Sequence, residues 1–145
     1  MLKTSHCHIF AVGKIRKSWV KEGLNLYMKR LPGLTITEFR DSTPQKEASD
    51  IKNKLTNNKK LIVLAEEGKS LSSIQFTKYL QTLGSQKLIF VIGGANGIDP
   101  EIKALANLLL SLSPMTFPHE IARLLLVEQL YRATTISQGG PYHRK

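Results

Sequence analysis

The chain has 145 residues, of which 41% are hydrophobic, so it can bury one substantial core, and its single Cys7 excludes an internal disulfide. Its apolar runs are too short to cross a bilayer and its first residues lack the apolar region of a signal peptide, so we expect a cytoplasmic protein without membrane contact. Lys and Arg outnumber Asp and Glu by 21 to 11, and the net charge of +10 favours a polyanionic partner.

The first 60 residues predict two strands and two helices in alternation. An apolar run predicts a buried strand over Cys7–Val12, and apolar residues at helical spacing predict a helix from Ser18 until Pro32-Gly33. Alternating polarity predicts a short strand over Leu34–Phe39, and residues 43–57 predict a polar helix with a thin apolar stripe. This half holds 13 basic and 5 acidic side chains, against 8 and 6 in the remainder, so the excess positive charge should lie on one part of the surface.

From residue 61 onward the alternation continues for three more strand–helix units. The predicted strands are 61–65, 88–92 and 108–112. The predicted helices run from Ser72, which has capping-box spacing to Gln75, as far as Gly84, then from Asp99-Pro100, and lastly over 119–136. This order predicts an α/β fold, a mostly parallel sheet covered by helices on both faces, in one domain spanning residues 1–145.

The last predicted helix is apolar on almost every side. Its apolar residues are Ile121, Ala122, Leu124, Leu125, Leu126, Val127, Leu130, Tyr131 and Ala133. A helix of this kind needs cover on more than one side, so we predict that the sheet covers one flank and a second subunit the other. Glu128 and Arg132 stand four residues apart in the favourable order and should pair. The helix therefore predicts a homodimer.

Two predicted strands end in loops of small residues. The strand 88–92 runs into Gly93-Gly94-Ala95-Asn96-Gly97, and the strand 108–112 runs into Ser113–Pro118. Ligands of open α/β sheets bind where strands end at their carboxyl edge, so the two loops together predict one cofactor pocket. Taken singly, the first is equally explained as a turn that needs positive φ, and the second as an ordinary strand-to-helix connection.

Other cofactor and metal sites match this sequence poorly. The glycine loop is not a G-x-G-x-x-G motif and lacks the acidic residue that a nicotinamide site needs about 20 positions further on. The P-loop pattern G-x-x-x-x-G-K-[ST] is absent. His6 and His8 would share one face of a strand while Cys7 faces the other, so we expect no metal.

The tail Pro141-Tyr142-His143-Arg144-Lys145 combines an aromatic ring, an imidazole and cations. This combination suits stacking on an unpaired base and binding its phosphate. A frayed basic terminus is the alternative.

Several segments, in this order and spacing, carry a resemblance that covers nearly the whole chain. They are Val12-Gly13-Lys14, Tyr27–Leu31, Leu64–Lys69 followed by Ser72-Ser73, Phe90–Gly97, Leu112–His119, Glu128–Ala133 and Pro141-Tyr142-His143. They resemble the ribosomal RNA large subunit methyltransferase H family of the SPOUT superfamily.

The resemblance implies a SPOUT-type fold with a C-terminal trefoil knot, a rare exception to unknotted topology. It also implies a homodimer that uses S-adenosylmethionine to methylate N3 of a pseudouridine in 23S-type ribosomal RNA. The family places the cofactor on residues that match Leu64, Gly94, Ser113, Pro114, Met115, Thr116, Phe117 and Pro118. Two departures are mild: Ala65 stands where an Asp is often found, and Pro114 occupies a variable position.

Catalysis on a ring nitrogen should consist mainly of positioning the nitrogen against the methyl group. Because N3 carries a proton that must leave, a base should help, and the candidates are His119, Tyr142 and His143. Arg132 is a candidate for stabilising the deprotonated base. Which group takes the proton, and whether the tail serves its own site or the partner's, stay open from sequence. The small domain favours a target within the assembled large subunit or ribosome.

Two other functions are compatible with parts of this sequence. A non-catalytic ribosome-binding factor would use the basic half and the tail without a cofactor. A nucleotide-dependent oxidoreductase would bind a nicotinamide cofactor at the glycine loop and would need no RNA. The positive charge and the missing acidic residue argue against the oxidoreductase.

Overall fold

The computed structural model describes residues 2–144, in which strands and helices alternate; Met1 and Lys145, the last residue of the predicted basic tail, lie outside them. The strands are β1 (Cys7–Val12), β2 (Thr35–Phe39), β3 (Lys59–Ser70), β4 (Lys87–Ile92) and β5 (Leu108–Ser111). The helices are α1 (Ser18–Met28), α2 (Pro44–Lys54), α3 (Ser73–Thr82), α4 (Pro100–Leu105) and α5 (His119–Ser137). Every predicted strand and helix is therefore present, and sequence analysis missed only a short 3-10 turn at Thr4–His6 before β1.

The five strands form one parallel sheet in the order β2-β1-β4-β3-β5. One apolar cluster lies between the sheet and α1, α3 and α5, with Phe90, Leu80 and Leu126 at its centre. A second cluster on the opposite face joins Val63 and Val91 to Ile102 of α4 and to residues of α2. The structure confirms the predicted parallel sheet covered by helices on both faces.

Local sequence signals explain where the helices begin. The Ser72 side chain accepts a hydrogen bond from the Gln75 backbone, and the Gln75 side chain accepts one from the Ser72 backbone, so the predicted capping box is present. Asp99 caps α4, with Pro100 at its first position. Helix α2 ends at Lys54 rather than at residue 57, because the backbone turns extended at Leu55.

Strand β3 is longer than sequence analysis predicted. The expected end at Ala65 is wrong, because Lys69 and Ser70 pair with β5 again after the four intervening residues leave the ladder. Leu110 of β5 is the register partner of both Leu64 and Lys69. Gly68 passes so close to β5 that an added Cβ would lie 2.7 Å from the backbone carbonyl of Leu109. Only a glycine fits this crossing.

Helix α5 lies between α1 and α3 on one face of the sheet and contacts both. Its inner residues Leu126, Val127, Leu130 and Ala133 are buried. The remaining apolar residues are half-buried, so neighbouring helices of the same chain supply part of the cover that the sequence argument assigned to a second subunit. The homodimer stays a prediction.

Of the residues considered as a metal site, His6 lies in the turn Thr4–His6 and not on β1 as expected, and only Cys7 and His8 lie on the strand. Burial raises the pKa of the Cys7 thiol to about 12, so the group stays protonated. His8 Nε2 lies 2.6 Å from Thr37 Oγ1, on the opposite side of β1 from Cys7. Within residues 2–144 there is no cluster of three potential metal-ligating side chains, and no helix is long and apolar enough to span a membrane.

Candidate active site

Three turns at the carboxyl edge of the sheet enclose one cavity of about 760 Å³. They follow Leu64 in β3, Ile92 in β4 and Ser111 in β5, and the first turn of α5 closes the remaining side. A cavity of this size can take a cofactor or a small ligand. The lining residues include Leu64, Ala65, Glu66, Glu67, Ile92, Gly93, Gly94, Leu112, Ser113, Met115, Thr116, Phe117, Pro118 and His119.

The structure brings seven of the eight predicted cofactor-binding residues together in this lining. They are Leu64, Gly94, Ser113, Met115, Thr116, Phe117 and Pro118. The eighth, Pro114, is exposed on the same loop and does not line the cavity. The Ser113 hydroxyl accepts a hydrogen bond from the Met115 backbone at 3.0 Å, which tightens the loop after β5.

The glycine turn after β4 is sterically required. An added Cβ on Gly93 would collide with the Ile98 side chain, and one on Gly94 would lie 3.0 Å from Val12 Cγ1. Gly97 closes the turn at φ +83°, a conformation that side chains rarely adopt, and its backbone donates to Gly94 O at 3.1 Å. The glycines therefore allow the backbone conformation of the turn and leave its main chain exposed along the cavity.

His119 opens α5 and lines the cavity. Its ring rests against Gly13, where an added Cβ would lie only 3.1 Å from His119 Cε1. Gly13 follows β1 at φ +92°. His119 Nδ1 is buried and has no hydrogen-bond partner among the described residues.

Arg123, one turn after His119, is 2% exposed and carries an ion pair. Its Nη1 donates to Glu38 Oε2 at 2.6 Å, and its Nη2 donates to the Gly13 carbonyl at 2.9 Å. The side chain therefore ties the first turn of α5 to the ends of β1 and β2. Sequence analysis missed Arg123 and Glu38. A signal was present, because Arg123 precedes the core residues Leu126 and Val127 by three and four positions and so lies on the same face of the helix, where a charged group needs a partner.

Glu120 is the second residue that sequence analysis missed in this turn. It is buried, and its Oε1 accepts hydrogen bonds from the Arg16 and Lys17 backbones, each at 3.0 Å. The bond from Lys17, with a smaller effect from Arg16, holds the pKa of Glu120 below its ordinary value. The carboxylate thus fastens the segment before α1 to the start of α5.

The tail folds back onto the later turns of α5. Tyr142 donates through its hydroxyl to Glu128 Oε2 at 2.7 Å, and the same hydroxyl lies 3.3 Å from Tyr27. Arg132 pairs with Glu128 at 2.7 Å, as predicted, and its guanidinium lies 4.7 Å from the centre of the Tyr142 ring. His143 Nδ1 lies 3.1 Å from Arg132 Nη1 and accepts from it.

Protonation in this cluster follows from its contacts. Burial, followed by hydrogen bonds to Tyr27 and Glu128, raises the pKa of Tyr142. In this arrangement Tyr142 is therefore a neutral phenol that donates a hydrogen bond and does not accept a proton. Glu128 raises the pKa of Arg132 in turn, so the guanidinium stays charged.

The three predicted catalytic residues do not meet within one chain. His119 and Arg132 are separated by thirteen residues of α5, which corresponds to about 20 Å along a helix axis. Tyr142 and His143 lie at the Arg132 end, whereas the cavity lies at the His119 end. Any joint action of the three needs either a large movement of the tail or a second chain.

Comparison with known proteins gives matches over nearly the whole chain. The family model described as predicted SPOUT methyltransferase matches residues 6–143. A protein of Prochlorococcus marinus (strain MIT 9211) named ribosomal RNA large subunit methyltransferase H is 61% identical over 144 residues, 99% of each chain. A protein of the same name from Synechococcus sp. (strain CC9311) is 59% identical over 143 residues, again 99% of each.

The fold also resembles solved structures. The SpoU methyltransferase AviRb from Streptomyces viridochromogenes superimposes with a TM-score of 0.53 at 10% identity, covering 96% of this chain and 63% of that one. The same protein in complex with the cofactor AdoMet gives a TM-score of 0.50 at 12% identity, covering 93% and 58%. At such low identity the similarity concerns the fold alone.

Proposed function

This chain belongs to the SPOUT methyltransferase family, and we propose that it methylates large-subunit ribosomal RNA with S-adenosylmethionine as methyl donor. The observation that carries the proposal is the meeting of three separate turns around one cavity at the carboxyl edge of the sheet. Relatives 59–61% identical over 99% of their length bear the name of this activity. The net charge of +10 suits an RNA substrate.

The cavity fits the proposed donor chemically. Leu64, Leu112 and Phe117 give an apolar wall for a purine ring, and the glycine turn offers backbone groups for hydrogen bonds. Glu66 at the edge suits the positive charge of a sulfonium or an ammonium group, whereas Glu67 is paired with Lys103 at 2.8 Å. When bound, the donor supplies an electrophilic methyl group, and the residues of the cavity hold it toward the acceptor.

The proposed acceptor is N3 of a pseudouridine. This nitrogen carries a proton that must leave, and His119 lines the cavity with an imidazole whose buried Nδ1 has no hydrogen-bond partner among the described residues. His143 is the second candidate to accept the proton. The neutral Tyr142 phenol suits a different task, since it donates hydrogen bonds and can orient the base.

We propose a homodimer in which the tail of one chain completes the cavity of the other. The separation of about 20 Å between the two ends of α5 supports this arrangement, because an antiparallel partner helix would bring its tail end beside His119. The half-buried apolar side chains of α5 leave surface for such a contact.

We further propose that the chain is one SPOUT domain with a C-terminal trefoil knot. Family membership supports the knot, as does the crossing in which Leu110 pairs with β3 both before and after the excursion at 65–68. The target is proposed to lie in the assembled large subunit or ribosome, which places the protein in the cytoplasm.

Titration calorimetry tests the cofactor. Wild-type protein is expected to bind S-adenosylmethionine, and Gly94→Val to bind it at least about tenfold more weakly, because the new side chain presses on Val12 and Asp41 and moves the turn. Gly84→Asn is the control, since asparagine tolerates positive φ and no atom lies within 4 Å of the added Cβ. Absence of wild-type binding would favour the non-catalytic ribosome-binding factor, and binding of a nicotinamide cofactor the oxidoreductase.

Mass spectrometry of ribosomal RNA tests the reaction and its target together. RNA from cells lacking this protein is expected to lose one methylated pseudouridine of the large subunit. Wild-type protein should restore it on isolated ribosomes. An unchanged modification pattern in the deleted strain would contradict the proposed activity.

A further inference from the structure

Trp19, the sole tryptophan of the chain, lies on the surface of the first turn of α1 and is 57% exposed. Tryptophan is enriched at binding surfaces, because it offers a large apolar ring together with a polar N–H group. Four exposed cations surround it in sequence, namely Lys14, Arg16, Lys17 and Lys21. The stretch 14–21 contains no acidic residue.

This segment is attached to the wall of the cavity. Glu120 accepts hydrogen bonds from the Arg16 and Lys17 backbones, and Gly13 touches the His119 ring. Trp19 follows Lys17 by two residues and therefore lies at most about 7 Å from it along the chain. The segment is therefore placed to contact a nucleic acid strand that presents one nucleotide at His119.

We propose that the segment Lys14–Lys21 binds the RNA strand next to the target nucleotide, with Trp19 stacked on an unpaired base and the cations on its phosphates. The proposal rests on the proposed function, because it takes RNA as the substrate. Base–aromatic stacking beside a row of cations is the usual way in which proteins hold single-stranded RNA.

Charge favours RNA over a second copy of this chain at this surface. Lysine is depleted at the cores of protein interfaces, and a two-fold contact centred on Trp19 would bring the cations of both copies together. A strand of phosphates neutralises the same cations and releases counterions. The surface is therefore complementary to a nucleic acid.

Tryptophan fluorescence gives a direct test, because Trp19 is the only tryptophan in the sequence and its emission therefore reports on this site alone. An unstructured oligouridylate is expected to quench the emission saturably at low salt. If Arg16 and Lys17 each contact one phosphate of a single strand, each of the substitutions Arg16→Gln and Lys17→Gln should weaken the salt dependence of binding. The slope of log affinity against log salt concentration should become shallower by about 0.7 per substitution. Emission that does not respond to the oligonucleotide would overturn the proposal.

Substitution of Trp19 tests its use in the reaction. Trp19→Ala is expected to lower affinity for the oligouridylate and kcat/KM on ribosomes about tenfold or more, whereas Trp19→Phe keeps most of both. Leu105→Ala, which removes a side chain 51% exposed on α4, is the matched control and should change neither.

The remaining outcomes separate this proposal from the others. If Trp19→Ala changes the oligomeric state in sedimentation, Trp19 faces a second copy and the RNA contact is wrong. If ribosome methylation falls while the oligouridylate never quenches, the surface binds a ribosomal protein instead. If wild-type protein transfers no methyl group yet is quenched by RNA, the proposed function fails and the RNA contact stands.

Discussion

Co-expression of two inactive variants, His119→Ala and Tyr142→Ala, is expected to restore methyl transfer. His119→Ala alone should lower turnover about 100-fold or more, the usual effect of removing a general base. Tyr142→Ala should lower it by a comparable factor, because it removes the phenol proposed to orient the acceptor base. If each site combines His119 of one chain with the tail of the other, a mixed dimer has one intact site and one doubly damaged site. Half of the dimers in an equal mixture are mixed, so about a quarter of wild-type activity should return.

Two controls make this experiment decisive. The double variant His119→Ala, Tyr142→Ala mixed with either single variant should restore nothing, because no site is then intact. Tyr142→Phe, which keeps the ring against Tyr131 and Arg132, should also lower turnover while S-adenosylmethionine affinity stays near wild type. Absence of recovery from co-expressed single variants would mean that each tail acts in its own chain or in none.

Arg123→Met is expected to destabilise the folded state by about 1–3 kcal/mol, because it leaves the buried Gly13 carbonyl without a donor and removes the hydrogen bond to Glu38. The Gly13 carbonyl loses its donor, and Glu38, with a side chain 40% exposed, recovers only part of its solvation from water. Urea unfolding at fixed protein concentration measures the loss of free energy of unfolding.

Lys52→Met is the matched control for Arg123→Met. It removes the basic partner of Glu101 in an ion pair whose side chains are 39% and 69% exposed, so the expected change is at most about 1 kcal/mol. Arg123→Lys should also destabilise the protein, because lysine lacks the fork that reaches Glu38 and Gly13 together. Equal stability losses in the Arg123→Met and Lys52→Met variants would contradict a structural role for the buried pair.

Periodicity and turn residues were sufficient to predict the five strands, the five helices and the parallel sheet. They succeeded because each element carries its own local signal, such as the Ser72 capping box or the apolar run before Gly93. Two strand ends followed by distinctive loops also predicted that one cavity would form, and the family resemblance added the third loop at Leu64. Parallel strands bring their carboxyl ends to the same edge whatever the details of the connections.

The missed features depend on contacts between distant parts of the chain. Glu38 and Arg123 are 85 residues apart, and Glu120 bonds to backbone groups more than 100 residues away. Lys69 and Ser70 at the end of β3 are extended because β5 pairs with them, although the sequence around Gly68 predicts a loop. Likewise, nothing local indicates that Tyr142 binds Glu128 of its own chain, at the end of α5 remote from His119.

The pairing of β1 with β4 determines when this protein can fold during synthesis. Cys7 in β1 is aligned with Leu88 in β4, so the centre of the sheet joins segments that are made far apart in time. Until β4 leaves the ribosomal exit tunnel, β1 has only β2 beside it, and two parallel strands are too few to be stable alone. The nascent amino-terminal half therefore stays unfolded and strongly basic while it is still tethered to a ribosome, the same kind of particle on which the finished protein is proposed to act.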